Sequence, residues 1–245
     1  MKVIIISAIA FTAIAIGIDL YTWQQVATNS TNDLDTWIQW SAYIRFIRTM
    51  LFTCIIIPYL QTGKLSKDQI LMITAMVIAT VADFYLILQN RLIMGIGIFA
   101  IMQLILLYRH FQGFHWGVFH HKFYLYLTIG LFAFAIILLY FLYTPLHQKG
   151  LFWPVTGYGF LLILSVLAAA YSKSTGVLSN KQATFAFLGM ILFLICDITV
   201  GLGAVWSNQP AGYFVRALTG IAYTPALIFL SLSAIKSSER KQPRS

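Results

Sequence analysis

Asp83 stands in the run VADFYLILQN and Asp197 in FLICDITVGLG, each with apolar residues on both sides. Lipid cannot solvate a carboxylate, so an acid in such a run marks a ligand site, a proton path or a paired charge. Two arginines, Arg45 and Arg48, stand in a third apolar run. With Ser41, Thr49 and Thr53 they recur at spacings of three and four, which puts these polar side chains on one helix face that must look inward. Two carboxyls can act as general acid and general base. Guanidiniums hold phosphate or carboxylate through charge-assisted hydrogen bonds. Snorkelling of the arginine heads toward headgroups is the competing account of the same pattern.

The elements that position these residues follow from composition. Of the 245 residues 60% are hydrophobic and 9% charged, with a mean hydropathy of +0.82, more apolar surface than a soluble domain of this length could hide. Eight apolar runs, each of roughly 17 to 24 residues, match the thickness of a hydrocarbon core. They fall near Val3–Tyr21, Trp37–Tyr59, Gln69–Leu88, Leu92–Tyr108, Phe123–Tyr143, Trp153–Tyr171, Ala183–Val205 and Phe214–Ile235. The expected fold is all-α, a polytopic bundle of eight transmembrane helices over residues 1–235, followed by a basic tail at 236–245.

The net charge of +9 is a topology signal and not a nucleic-acid footprint. Lys2, Lys64, Lys67, Arg109, Lys122, Lys173, Lys181 and four residues of the tail lie on one side, and only Arg91, Lys149 and Arg216 on the other. Eleven against three places both termini in the cytoplasm; if the host is a bacterium, the expected membrane is the plasma (inner) membrane. Anionic lipid is the natural partner of that basic face. In this topology Asp83, Asp197, Arg45 and Arg48 all fall in the outer half of the bilayer, at one depth. Tyr158, Tyr223 and Thr224 fall in the same half and could line the same cavity, where Pro225 would free a backbone carbonyl.

Other features carry less. Cys54 and Cys196 both lie within spans and read as small buried residues. His110, His115, His120 and His121 cluster in one loop on the basic side, away from the acids, and read as interface-seeking; neither a metal nor a cofactor is expected. Asn29 begins a glycosylation sequon of no assigned role. The first run continues without a clear small-residue cleavage site, so it reads as a helix and not as a signal peptide. Gly95, Gly97, Gly189, Gly201 and Gly203 read as helix-packing positions.

The order of Ala82-Asp83, a short turn, then Gly95 and Phe99 in the next helix resembles the signature of the YhhN-like membrane proteins, which include the lysoplasmalogenases. FLICDITVGLG around Asp197 looks like that family's second acidic helix, and AYTPALIFLS lies where its final helix begins with a tyrosine; Arg48 stands about where the family often has a basic residue. The sequence departs from the pattern at Ala82, Cys196, Gln103 and Leu227, where the family commonly has glycine, a small residue, histidine and glutamine.

The resemblance implies hydrolysis of the vinyl ether of a lysoplasmalogen to a fatty aldehyde and a glycerophospho-base. Asp83 and Asp197 would be the catalytic pair, with either one the proton donor. Arg45 and Arg48 would hold the phosphate, with Tyr158, Tyr223 and Thr224 nearby, and a lysophospholipid or ether lipid would be the partner. A transporter or lipid-binding protein using the same Asp/Arg cluster for ion or proton coupling is the alternative. A third possibility is a bundle whose acids and arginines pair only to fix helix register. A retinal photoreceptor is disfavoured because the last helix has no interior lysine. Head group and oligomeric state are not legible.

Overall fold

The computed structural model describes residues 2–28, 34–54, 65–114, 122–207 and 209–235. Among them the protein is entirely helical: α1 (Lys2–Ala27), α2 (Leu34–Cys54), α3 (Lys67–Asp83), α4 (Leu92–His110), α5 (Lys122–Gln148), α6 (Phe152–Thr175), α7 (Asn180–Val205) and α8 (Pro210–Ser233). Seven of these helices are long and apolar enough to cross a membrane, and α2 falls short of that standard. Its 21 residues suffice in length, but Asp35, Arg45 and Arg48 interrupt its apolar character. The protein is an integral, multi-pass membrane protein. Residues 55–60 of the expected second span, Lys64, the sequon at Asn29, His115, His120, His121 and the basic tail at 236–245 lie outside the described residues.

Several helices overrun the apolar runs that announce them. α1 continues past Tyr21 to Ala27, and α5 continues past Tyr143 to Gln148 with Pro145 inside it. Hydropathy registers the lipid-immersed part of a helix, while the backbone hydrogen-bond ladder continues through the interface. The starts of α3 and α7 are written in the sequence: Ser66 with Gln69, and Ser179 with Gln182, form two capping boxes. α6 stops at Gly176, whose φ of 69° suits a residue without a Cβ.

Helix directions follow from pairs of touching residues. Tyr21 meets Trp37 and Asp19 meets Ser41, so α1 and α2 are antiparallel. Trp23 meets Phe214 and Thr12 meets Thr224, so α1 and α8 are antiparallel as well. α2 and α8 therefore run the same way on either side of α1. Thr49 with Asp83 and Thr53 with Thr80 set α3 antiparallel to α2. α7 and α8 make the tightest pair, antiparallel through Thr199 with Thr219 at 2.8 Å and through Gly189 against Leu230. The interior is rich in small side chains, among them Ala75, Ala79, Ala82, Ala169, Ala186 and Ala226, which let helices approach closely. α5 stands apart, packed mainly on α6, with Leu146 its one buried residue among those described.

Candidate functional site

Asp83 is the last α-helical residue of α3. The chain loosens there into a π turn over Phe84–Leu88 before the reversal at Asn90, which holds a φ of 51°. π turns within helices concentrate at functional positions because they re-aim neighbouring side chains. Leu86 of this turn rests on Gly95 of α4, where an added Cβ would come within 3.1 Å.

The Asp83 carboxyl is buried, 2% exposed. Its Oδ2 accepts hydrogen bonds from Thr49 Oγ1 at 2.7 Å and Tyr223 Oη at 2.8 Å. Thr49 is supplied by α2 and Tyr223 by α8, so three helices meet on one oxygen. Arg48, also 2% exposed, carries its guanidinium carbon 5.1 Å from the centroid of the Tyr223 ring. Its Nε and Nη1 have no hydrogen-bond partner. Buried donors left unpaired are costly, so an unpaired guanidinium beside a cavity suits an acceptor supplied by a ligand.

Asp197 of α7 accepts a hydrogen bond from the Tyr158 hydroxyl of α6. The α7–α8 register puts it level with Ile221, two residues from Tyr223. Gln103 of α4 lies beside Tyr158, fully buried. Among the described residues neither aspartate forms an ion pair; the ion pair found there joins Arg109 to Asp68 elsewhere in the fold.

One cavity of about 1440 Å³ collects Arg45, Arg48, Asp83, Tyr158, Asp197 and Tyr223 on its wall. It is larger than the usual small-molecule pocket of ~300–1,000 Å³. The remainder of the wall is mostly apolar, with Ile93 of α4 and Phe134 and Leu138 of α5 among its members. The space thus combines two carboxyls and several basic side chains with a mostly apolar wall.

Thr224 is placed elsewhere: it does not line the cavity, and its Oγ1 lies 2.6 Å from Thr12 Oγ1, tying α8 to α1. Neighbouring positions on a helix point about 100° apart, which here turns Tyr223 to the cavity and Thr224 to α1. Three further groups stand at or beside the site. Thr49 was visible as part of the α2 polar stripe, one turn from Arg45. Asp19 accepts from Ser41 Oγ at 2.6 Å, and its place at the polar end of the first run hid that role. Arg216 lines the cavity, although it counts as a loop charge in the topology. Among the described residues no cluster of histidine, cysteine, aspartate or glutamate could hold a metal ion; His110 is buried at the end of α4 against Arg109.

No curated protein and no solved structure matches this chain. The sequence pattern of the YhhN family matches residues 43–234, from the arginine-bearing part of α2 through α8. That interval contains Asp83, Asp197, Arg45, Arg48, Tyr158 and Tyr223 and leaves α1 outside it. The protein is a member of the YhhN family.

Proposed function

We propose that this protein hydrolyses the vinyl ether of a lysoplasmalogen or a closely related single-chain ether lipid within the bilayer. One observation carries the reading: two carboxyls, each bonded to a tyrosine hydroxyl, share a cavity with an unpaired arginine and a mostly apolar wall. Family membership supports it, since the YhhN-like proteins include the lysoplasmalogenases.

In the reaction a carboxylic acid gives its proton to the alkenyl carbon remote from the ether oxygen. The resulting oxocarbenium ion takes up water at the carbon bonded to oxygen, and the water's proton passes to a carboxylate. The hemiacetal then collapses to fatty aldehyde and the free hydroxyl of the glycerophospho-base. In the collapse the carboxyl that took the water's proton returns it to the departing ether oxygen, and the hemiacetal hydroxyl gives its proton to the original donor, so one water is consumed and the acid is regenerated. Asp83 takes the carboxylate role, because two donated hydrogen bonds on one oxygen compensate an anion, and Asp197 takes the proton-donor role. Arg45 and Arg48 face the phosphate, and the apolar wall receives the chain laterally from lipid.

The membrane arrangement proposed with this function has eight spans, α2 included, with both termini in the cytoplasm and the cavity in the outer half of the bilayer. In a bacterium the membrane is the inner one. A proton-coupled carrier needs a second route to its charges from the other end. There Arg109 closes α3, α4 and α8 together through Asp68 and Ser233.

Detergent-purified protein incubated with 1-alkenyl lysophospholipid is expected to release fatty aldehyde, and Asp83→Asn and Asp197→Asn are each expected to abolish release while remaining folded. Absence of aldehyde from the wild-type protein, or full activity in either variant, would overturn the proposal.

A further inference from the structure

The wall of the cavity carries more positive than negative side chains: Arg45, Arg48, Arg91, Lys149 and Arg216 against Asp83 and Asp197. Lys149 is already committed, since its Nζ donates to Ala204 O at 2.6 Å and Val205 O at 3.1 Å and holds the C-terminal end of α7. Arg45 is not. Its Nε makes a long bond of 3.3 Å to Ser41 O, and among the described residues no hydrogen bond engages its Nη groups. Arg216 lies with its guanidinium carbon 5.1 Å from the centroid of the Tyr213 ring, and no ion pair engages it among the described residues.

The packing of α2, α1 and α8 sets these two arginines against each other. Arg48 meets α8 at Gly220, where an added Cβ would stand 3.7 Å from Arg48 Nη1. α2 and α8 run the same way, so stepping back one turn on each reaches Arg45 and Arg216 at the same level, roughly 5 to 6 Å along the axes from that contact. The charged groups that act on Arg45 are Asp19, Arg216, Arg48 and Asp83. Three guanidiniums against two carboxylates leave at least one positive charge uncompensated. Like charges brought together in a low dielectric repel strongly unless an anion stands between them.

We infer that Arg216 joins the Arg45 and Arg48 pair and closes with Arg45 a two-armed clamp on the phosphate of a single-chain lipid headgroup, about two turns along α8 from Tyr223 and the Asp83 carboxyl it bonds. The inference rests on the reading of the cavity as a lyso-lipid site, and adds Arg216 as the residue that recognises a phosphate-bearing head. The stack on Tyr213 fixes one arm, and the planar guanidiniums can each offer two donors to phosphate oxygens. A lipid held there by its phosphate lays its glycerol and ether toward Asp83 and Asp197 and its chain along α5.

Binding without turnover tests this clamp separately from hydrolysis. The probes are a 1-O-alkyl lysophospholipid, which lacks the alkene and cannot be cleaved by protonation, the corresponding 1-O-alkylglycerol, and inorganic phosphate. Wild-type protein is expected to bind the alkyl lysophospholipid at least tenfold more tightly than the alkylglycerol. Arg216→Gln is expected to remove that preference while leaving alkylglycerol binding and the ligand-free unfolding temperature unchanged, and Arg216→Lys to restore part of it. Equal binding of the two lipids by the wild-type protein, or an undiminished preference in Arg216→Gln, would overturn the clamp whether or not aldehyde is ever released. Inorganic phosphate binding as tightly as the lysophospholipid would overturn the headgroup assignment in favour of a free phosphate.

Discussion

Tyr223 Oη donates to Asp83 Oδ2 at 2.8 Å, which joins the middle of α8 to the point where α3 loosens into its π turn. The same ring carries the Arg48 guanidinium on its face. Tyr223 thus couples the acid to the arginine without those two charges forming a salt bridge. A direct pair would neutralise both groups. The tyrosine keeps the arginine beside the carboxyl yet open to the cavity, an arrangement suited to binding and chemistry.

Tyr223→Phe isolates the hydroxyl, because the ring that supports Arg48 remains. Loss of one donor to a buried carboxylate is expected to lower stability by about 1–2 kcal/mol and to lower aldehyde release at least tenfold. Thr49→Val removes the other donor and is expected to act in the same direction. Aldehyde assays beside thermal unfolding in detergent check this, and wild-type rates in both variants would remove Asp83 from the proposed chemistry.

The glycines divide sharply by what surrounds them. A Cβ at Gly189 would lie 2.8 Å from Leu230 Cγ and 3.0 Å from Leu230 N, whereas one at Gly97 would meet nothing within 4 Å. Gly189→Ala is therefore expected to prise α7 from α8 and to cost about 1–3 kcal/mol. Gly97→Ala is expected to leave the unfolding temperature unchanged or slightly raised. Equal unfolding temperatures for the two variants would contradict the α7–α8 contact described above.

These glycines also show how far the sequence could be read. Gly95, Gly97, Gly189, Gly201 and Gly203 look alike as small residues in apolar helices, but only Gly95 and Gly189 have a neighbour that a Cβ would crowd. Smallness permits close approach without saying which helix approaches. Asp83, Asp197, Arg45 and Arg48 do line one cavity, in keeping with the common level that run lengths and charge asymmetry assign them along their helices. The facing was legible only in part. The polar stripe of α2 points inward as its periodicity requires, while Thr224 and Tyr223, adjacent in sequence, separate to α1 and to the cavity. Arg216 was hidden for another reason: an arginine near a helix start is ordinarily an interface residue, and only the α2–α8 register brings it opposite Arg45.

Thr224→Val tests the separation of Thr224 from Tyr223. The bond from Thr12 to Thr224 joins two helices away from the cavity, and interhelical hydrogen bonds of this kind contribute about 0.6 kcal/mol in membrane bundles. The variant is expected to unfold at a slightly lower temperature and to keep aldehyde release within about twofold of wild type. A loss of activity as deep as that of Tyr223→Phe would place Thr224 in the site after all.

At the far end of the bundle Arg109 is 1% exposed and bonds Asp68 through Nε at 2.7 Å and Nη2 at 3.0 Å, while Nη1 and Nη2 reach Ser233 Oγ and Ser233 O at 2.8 and 3.0 Å. One side chain of α4 thereby fastens the start of α3 to the end of α8. Its removal leaves Asp68 without its ion pair and a buried carbonyl without its donor. Asp68 keeps 28% of its side-chain surface exposed, so the loss is expected near the lower end of the range for buried pairs, about 3 kcal/mol in Arg109→Ala. Ser233→Ala retains the ion pair and the backbone bond and is expected to cost about 1 kcal/mol. Arg109→Lys keeps the charge but not the fork, so it should recover only part of the loss. Thermal unfolding of the three variants orders them Ala, Lys, then Ser233→Ala from least to most stable; a fully stable Arg109→Ala would show that this end of the bundle is held by apolar packing alone.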